Sequence, residues 1–227
     1  MFATVLLSGG IDSSTCLALA VERHGKTEVC ALNITYGQKH AREIESAERI
    51  AAHFGVSYRL MDLSAPFQFS DCPLLENSDR EIEKTSYADQ LAAMGGSGTV
   101  STYVPFRNGV MLSTAAAYAQ SVGASVIYYG AHADDAAGSA YPDCTPEFVS
   151  HMRQAILSGT GGAITLYAPF IECTKDMIVA EGLRLKVPYE MTWSCYEGKD
   201  KPCGKCGTCR DRQEAFRKNG AEDPLSY

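Results

Sequence analysis

The stretch Phe2-Ala-Thr-Val-Leu-Leu-Ser-Gly-Gly-Ile-Asp-Ser-Ser14 decides the fold of this chain. Its apolar first half, from Phe2 to Leu7, predicts a buried β-strand. Two glycines follow, which let the backbone turn tightly and approach an anion closely, and Asp12 or Ser13 can cap the helix that comes next. A strand, a glycine turn rich in hydroxyl groups and a helix N-terminus together make the layout of a phosphate-binding loop.

We expect the amides and hydroxyl groups of this loop to hold nucleotide phosphates, with these binding residues: Ser8, Gly9, Gly10, Ile11, Asp12, Ser13 and Ser14. The loop has neither the Lys-Ser/Thr ending of a Walker loop nor the third glycine of a dinucleotide turn. Asp12 has two open interpretations, because it can cap the helix or hold Mg²⁺ beside the phosphates. The alternative for the whole loop is a capped glycine turn that binds nothing.

The chain beyond the loop alternates between apolar runs and amphipathic stretches. Further strands are predicted at residues 29–34, 58–63 and 125–130, with an extended piece at 163–168 and helices between them. This order predicts an α/β fold with a Rossmann-like, parallel-stranded sheet flanked by helices.

Residues 1–190 are predicted to form a nucleotide-binding α/β domain, interrupted by an irregular insertion at 65–101. Insertions of this length are usually functional or partly disordered, and one interpretation of this segment is a lid over the site. Residues 191–227 are predicted to form a small metal-binding segment packed on the domain, so that the two make a single structural unit.

Four cysteines near the C-terminus have the spacing C-x7-C-x2-C-x2-C: Cys195, Cys203, Cys206 and Cys209. Four thiolates this close together suit tetrahedral zinc, which would stabilise a segment too polar to have a core of its own. The role of that zinc would be structural. An iron–sulfur cluster uses similar ligands and stays open, whereas disulfides would need an oxidising compartment.

The composition restricts the partners of the chain. Its 227 residues include 20 Lys and Arg against 27 Asp and Glu, which gives a formal net charge of −7. An acidic chain without a basic block disfavours nucleic acid as a partner. No apolar run approaches the ~20 residues of a membrane helix, and no signal-peptide pattern is recognised. Together with the odd number of cysteines, nine, this predicts a cytoplasmic protein with reduced thiols.

Two polar motifs interrupt the apolar pattern. Arg107 and Asn108 stand at the start of a predicted helix, where they either bind phosphate or nucleotide, or serve as a solvated arginine and a helix cap. His132, Asp134 and Asp135 directly follow the fourth strand, at the sheet edge where α/β proteins bind ligands. This trio could hold a metal, but a loop that solvates its charges is the favoured interpretation.

Several motifs occur together and in order over nearly the whole chain. They are the loop at 8–14, Val104-Pro-Phe-Arg-Asn108, Tyr141-Pro-Asp-Cys144, Thr174-Lys175, Thr192-Trp-Ser-Cys195 and the terminal cysteines. The Ser-Gly-Gly-x-Asp-Ser loop resembles that of the PP-loop ATP pyrophosphatase superfamily, whose fold is adenine nucleotide alpha hydrolase-like. The full set of motifs resembles the 7-cyano-7-deazaguanine synthase family.

The resemblance implies an ATP-dependent carbon–nitrogen ligase of queuosine precursor biosynthesis. It implies conversion of 7-carboxy-7-deazaguanine and ammonia into 7-cyano-7-deazaguanine through adenylated intermediates, with release of pyrophosphate and AMP. It also implies ATP with Mg²⁺, a structural Zn²⁺ and a homodimer. Free ammonia is the simpler nitrogen source, because the sequence has no recognisable glutaminase domain.

The resemblance also suggests roles for individual residues. The predicted catalytic residues are Asp12, Lys175 and Arg107. Lys175 either neutralises phosphate charge or is an exposed helix lysine. The predicted substrate-binding residues are Asp143, Tyr141 and Asn108. A carboxylate such as that of Asp143 can accept hydrogen bonds from the amino group and ring N–H of a guanine-like base.

Three alternatives remain for the function. A PP-loop tRNA-modifying enzyme would act on a polyanion, which the net charge of −7 and the absence of a recognisable RNA-binding domain disfavour. A related deazaguanine enzyme would release pyrophosphate and AMP but form another product. A nucleotide sensor or a zinc-stabilised interaction module would release neither.

Overall fold

The structure, a computed structural model, describes residues 2–39, 41–83, 85, 87–198 and 200–227. Its centre is a sheet of five strands: β1 (Ala3–Leu6), β2 (Val29–Thr35), β3 (Ser57–Asp62), β4 (Val126–Tyr128) and β5 (Thr165–Tyr167). The strands lie in the order β3-β2-β1-β4-β5, and every neighbouring pair is parallel. The predicted α/β fold with a parallel sheet is therefore confirmed.

The helices of the described residues are α1 (Ile11–His24), α2 (Arg42–Phe54), α3 (Tyr87–Ala93), α4 (Arg107–Ser121), α5 (Ala133–Ala136), α6 (Pro146–Gly159), α7 (Lys175–Arg184) and α8 (Gly207–Lys218). Several of them pack on the two faces of the sheet. Strand β2 shows the two faces, because successive side chains of a strand point to opposite sides. Val29 and Ala31 join an apolar cluster with α1, α7 and α8, whereas Leu32 and Ile34 join a second cluster with α4 and α6. Within the described ranges, no helix is long and apolar enough to cross a bilayer.

The strand order places a crevice beside β1. The chain runs from β1 to β2 and β3 on one side, then returns to form β4 on the other side of β1. In open α/β sheets, ligands bind at such a reversal, outside the carboxyl ends of the strands. Here the reversal brings the glycine loop after β1 next to the polar loop after β4.

The described part of the insertion at residues 65–101 is more ordered than its irregular sequence indicates. Helix α3 lies within it, and several of its apolar side chains form a third buried cluster with two residues from outside the insertion: Phe67, Cys72, Leu74 and Leu75, with Tyr36 and Val104. The cluster has no regular spacing along the chain, because it is made by loop residues that meet only in the folded protein. Periodicity could not reveal it.

The C-terminal segment shares the main core. Helix α8 begins directly after Cys206 and packs on α7, with Ala215 and Phe216 buried in the same cluster as Ile178 and Tyr189. The sequence interpretation did not include this helix, because few of its residues are apolar. The described part of the segment is thus anchored by a helix as well as by its cysteines.

A buried ion pair fixes α8 in place. The Arg212 guanidinium donates to both oxygens of Asp223 at 2.8 and 2.9 Å, and also to Tyr189 O at 2.9 Å. We expect Asp223→Ala to lower the free energy of unfolding by ~3–5 kcal/mol, because it leaves a buried guanidinium without its counter-charge. Urea unfolding measures this change. Glu214→Ala, which breaks an exposed pair with Arg217, is the control and should cost at most ~1 kcal/mol. Equal effects of the two variants would contradict the prediction.

Candidate active site

A cavity of about 260 Å³ opens at the carboxyl edge of the sheet, beside β1. Several parts of the chain line it, among them the glycine loop, the loop after β2 with the start of α2, the starts of α4 and α7, the loop after β4, and the C-terminal segment from Trp193 onward. Most of the predicted site residues line this cavity: Ser8, Gly10, Ile11, Asp12, Ser13, Arg107, Asn108, Tyr141 and Lys175. The fold therefore brings most of the predicted binding and catalytic residues together.

The glycine loop presents free donors to the cavity. Ser8 and Ser13 hold the turn closed, with 3.0 Å between their hydroxyl oxygens, and the first backbone bond of α1 runs from Ser14 N to Gly10 O at 3.1 Å. The backbone N–H groups before Ser14 have no acceptor within the helix, as at the start of every α-helix. Gly10 is the N-cap and no side chain caps the helix. The expectation that Asp12 or Ser13 caps α1 is therefore wrong.

Gly9 lets this loop lie directly on helix α2. Its φ of +89° belongs to the region that favours glycine. A Cβ added there would clash with the backbone oxygen of Glu43 and come within 2.7 Å of Ala47 N. Both neighbours are backbone atoms of a packed helix, which cannot move aside easily. The position of the loop is thus set by α2.

Asp12 and Lys175 form an ion pair in the cavity wall. Lys175 Nζ lies 2.6 Å from Asp12 Oδ2, and the Lys175 side chain is only 20% exposed, so it is not a free surface lysine. Burial alone would raise the pKa of Asp12, but Lys175 and His132 outweigh it and hold the pKa below its usual range. Burial would lower the pKa of Lys175, but Asp12 and Asp135 raise it. Both groups are therefore charged near neutral pH.

His132 is buried, although the sequence favoured a solvated loop at this position. The ring is buried, with 1% of the residue exposed, rather than solvated. Its Nε2 lies 3.2 Å from Asp135 Oδ2 and 3.7 Å from Asp12 Oδ2, yet neither ring nitrogen makes a hydrogen bond within the described part of the chain. The short helix α5 begins immediately after His132, which turns the ring inward, while Asp134 stays exposed.

Arg107 and Asn108 are neither a solvated arginine nor a helix cap. Phe106, with a φ of 53°, is the N-cap of α4. The Arg107 guanidinium lies 4.8 Å from the centroid of the Tyr36 ring, a cation–π contact. Asn108 is buried and its side-chain amide donates to Cys144 Sγ at 3.2 Å.

Asp143 and Tyr141 are both buried, but only Tyr141 reaches the cavity. Asp143 is 2% exposed, and its Oδ2 accepts a hydrogen bond from Asn108 N at 2.9 Å. Its Oδ1 has no partner among the described residues, and Asp143 is not among those that line the cavity. The Tyr141 hydroxyl lies 2.6 Å from Thr102 Oγ1.

Several cavity-lining residues were not predicted as site residues, among them Tyr36, Glu43, Trp193 and Tyr196. Glu43 stands in the charged first turn of α2, where the pattern indicates only a solvated helix face. Tyr36 follows a buried strand and looks like an ordinary core residue. Trp193 lies inside the Thr192–Cys195 motif, which was the one available signal.

The four terminal cysteines converge as predicted. Each offers a sulfur ligand, and these Sγ atoms all lie within 4.8 Å of one another. Backbone N–H groups point at them, including Cys203 N to Cys195 Sγ at 3.3 Å and Cys206 N to Cys203 Sγ at 3.3 Å. Such donors favour the thiolate form, which is the form that binds metal. The residues therefore fit a tetrahedral metal ion held by four sulfurs.

The cysteine cluster is tied to the glycine loop through Trp193. Trp193 N donates to Gly9 O at 2.9 Å, and its indole Nε1 donates to Cys195 O at 2.7 Å. The indole packs in the same small buried cluster as Cys195, Cys206 and Cys209. One residue thus contacts both the metal-binding cysteines and the loop.

Comparison with solved structures supports the assignment of the fold. The NMN synthetase from Francisella tularensis aligns with a TM-score of 0.54 and 15% identity, over 97% of this chain and 78% of the other. The U34-tRNA thiolase NcsA from Methanococcus maripaludis, solved with its 4Fe–4S cluster, aligns with a TM-score of 0.54 and 14% identity, over 96% and 67%. At these identities the likeness concerns the fold alone. The fold and the loop define an α/β protein of the PP-loop class.

Sequence comparison gives the family. The family model described as queuosine biosynthesis protein QueC matches residues 2–220. A relative from Archaeoglobus fulgidus, named 7-cyano-7-deazaguanine synthase, is 45% identical over 99% of this chain and 90% of its own length. One from Caldicellulosiruptor bescii, with the same name, is 41% identical over 100% and 97%. The chain belongs to the QueC family of queuosine biosynthesis, and the resemblance read from its motifs is confirmed.

Proposed function

We propose that this protein is an ATP-dependent ligase that converts 7-carboxy-7-deazaguanine and ammonia into 7-cyano-7-deazaguanine. The observation that carries the proposal is the cavity beside β1, where the glycine loop and the Asp12–Lys175 pair meet a polar pocket. The name shared by the relatives supports the product, and the loop supports ATP as the source of energy.

ATP would bind with its phosphates against the loop. The N–H groups at the start of α1 and the hydroxyls of Ser8 and Ser13 are the donors for the phosphate oxygens. Asp12 Oδ1 is buried without a hydrogen bond among the described residues. Carboxylate oxygens are the ligands that Mg²⁺ prefers. Asp12, with Asp135 nearby, would hold the ion, which supplies charge neutralisation at the phosphates.

The chemistry needs activation of the carboxylate. The substrate carboxylate attacks the α-phosphorus of ATP, pyrophosphate leaves, and an acyl adenylate forms. Ammonia then attacks the carbonyl carbon, so that AMP leaves and an amide results. A second ATP adenylates the amide oxygen with release of a second pyrophosphate, and loss of AMP and of the two N–H protons forms the nitrile. No step requires a protein nucleophile, so positioning and charge stabilisation supply the rate enhancement.

The side chains in the cavity divide these tasks. Lys175 neutralises the charge that develops on the phosphates, and Arg107 contributes a second cation to the cavity. Tyr141 and Asn108 contact the deazaguanine, and Asp143 positions Asn108 through the 2.9 Å bond to its backbone. Direct acceptance of the base N–H groups by Asp143 stays a prediction, which Asp143→Asn tests through substrate affinity and turnover.

The deciding experiment is mass spectrometry of the product. The purified protein is incubated with 7-carboxy-7-deazaguanine, MgATP and an ammonium salt, and AMP and pyrophosphate are assayed alongside. The nitrile product is expected only when all three reactants are present. AMP without the nitrile would favour a related deazaguanine enzyme, and release of neither AMP nor pyrophosphate would favour a nucleotide sensor.

Other properties of the protein belong to the same proposal. We place residues 1–190 and 191–227 in one structural unit and assign the work to a cytoplasmic homodimer that uses free ammonia. The shared apolar cluster of α7 and α8 supports the single unit.

Segment 65–101 would close over the cavity, since its Leu74 lines it. In that case ATP with substrate should protect the segment from limited proteolysis, and unchanged cleavage would argue against a lid.

A further inference from the structure

Part of the cavity is lined by a carboxylate and a guanidinium that do not pair with each other. Glu43 comes from the first turn of α2, and Arg107 from the first residue of α4. No hydrogen bond or ion pair engages the Glu43 carboxylate within the described ranges, and Arg107 is held against the Tyr36 ring instead. An acceptor and a donor group thus both line the cavity, where a ligand can contact them.

The pKa of Glu43 shows that its charged form is unfavourable without a partner. Burial raises the pKa of its carboxyl to about 7, and the nearby Arg107 only partly opposes this. A carboxylate without partners in a protein wall is unfavourable unless hydrogen bonds compensate for the lost water. The backbone of Glu43 is also fixed, because Gly9 packs against its carbonyl oxygen. The side chain therefore starts from a fixed position in the cavity wall, where the N–H donors of a ligand would supply the hydrogen bonds that its carboxylate lacks.

We propose that Glu43 and Arg107 recognise the hydrogen-bonding edge of the deazaguanine base. The Glu43 carboxylate accepts from the ring N1–H and the 2-amino group, and the Arg107 guanidinium donates to the neighbouring carbonyl oxygen. Along this edge the base presents a carbonyl acceptor, then the N1–H and 2-amino donors. A guanidinium beside a carboxylate offers the complementary groups in the same order. The inference rests on the proposed function and names residues that determine its specificity.

The competing carboxylate is less suited to this task. Asp143 uses one oxygen to hold the start of α4 and does not line the cavity. Glu43 lines the cavity with both oxygens free of hydrogen bonds from the described residues. The carboxylate that accepts the N–H groups of the base is thus assigned to Glu43 of α2 rather than to Asp143.

The same pair would reject adenine. Adenine offers an amino group where guanine has its carbonyl oxygen, and an unprotonated ring nitrogen where guanine has N1–H. Its donor would face Arg107 and its acceptor would face Glu43, so both contacts would be repulsive. The adenine ring of ATP is consequently kept out of the subsite for the substrate base, although both molecules occupy one cavity.

The test combines a variant with a substrate analogue. Glu43→Gln should raise KM for 7-carboxy-7-deazaguanine by about 10- to 100-fold, as expected for loss of hydrogen bonds to a charged group, with KM for ATP and kcat nearly unchanged. The analogue that lacks the 2-amino group should be a poorer substrate than the parent for the wild-type protein. In Glu43→Gln this preference should largely disappear, because the carboxylate that reads the amino group is gone.

The controls separate the possible outcomes. Glu45→Gln, an exposed position in the same turn of α2, should leave both KM values and the preference unchanged. If Glu43→Gln fails to fold in thermal unfolding, Glu43→Asp keeps the charge on a shorter side chain and should weaken the preference only partly. A wild-type preference preserved in a folded Glu43 variant would overturn the inference. Absence of pyrophosphate release by the wild-type protein would instead defeat the proposed function.

Discussion

Lys175→Met should reduce kcat/KM for pyrophosphate release by about 100- to 1000-fold, the usual effect of removing one group that stabilises charge in a transition state. Lys175 Nζ lies 2.6 Å from Asp12 Oδ2, beside the loop that would hold the phosphates. The methionine side chain has similar length without the charge. The variant therefore has no cation at that point of the cavity.

The control for this change is Lys218→Met on the neighbouring helix α8. Lys218 is exposed and lies 3.2 Å from Asp176, so its loss should leave turnover within about twofold, because exposed pairs contribute little. A double variant, Asp12→Asn with Lys175→Met, removes both charges together. It should regain stability lost in Lys175→Met while staying inactive. Pyrophosphate release at the wild-type rate in Lys175→Met would contradict the role assigned to the lysine.

Cys206→Ser should abolish stoichiometric metal binding and lower the free energy of unfolding by ~3–5 kcal/mol or more, because binding of a structural metal contributes directly to folding. Cys206 is 1% exposed and lies inside the cysteine cluster. A serine hydroxyl is a far weaker ligand than a thiolate. Metal content per chain and thermal unfolding are the two measurements.

Cys173→Ser is the matched control, since Cys173 is partly buried but stands outside the cluster. It should keep the metal content and the unfolding temperature of the wild-type protein. The absorption spectrum of the wild-type protein also separates the candidate metals, because zinc is colourless and an iron–sulfur cluster absorbs in the visible range. Retention of one metal per chain in Cys206→Ser would show that the assigned ligand set is wrong.

Local sequence patterns were sufficient for much of this protein. The apolar run before Ser8 and the glycines that follow it predicted β1 and the loop, because both depend on short-range conformational preferences. The spacing of Cys203, Cys206 and Cys209 likewise predicted the cluster, since a short turn forces the thiols together. Such features are encoded within a few residues of each other.

Features that depend on distant contacts were missed. Glu43 looks like part of a solvated helix face, and only the packing of α2 against Gly9 brings it to the cavity. The burial of His132 follows from the turn into α5, which no apolar pattern announces. Helix α8 was missed because Arg212, a charged residue, takes a core position by pairing with Asp223. In each case a tertiary contact overrides the local signal.

If the glycine loop binds ATP as proposed, the link through Trp193 is expected to make nucleotide affinity depend on metal occupancy. The Trp193 amide holds Gly9 O at 2.9 Å, while its indole belongs to the cluster of metal-binding cysteines. Loss of an ion from the cysteines is expected to loosen the residues around this indole, so that the turn at Gly9 would lose an anchor. Since the sheet and α1 keep their own core, the affinity of the protein for ATP would fall before the protein unfolds. Scarcity of the metal is therefore expected to weaken nucleotide binding as well as to lower the stability of the protein.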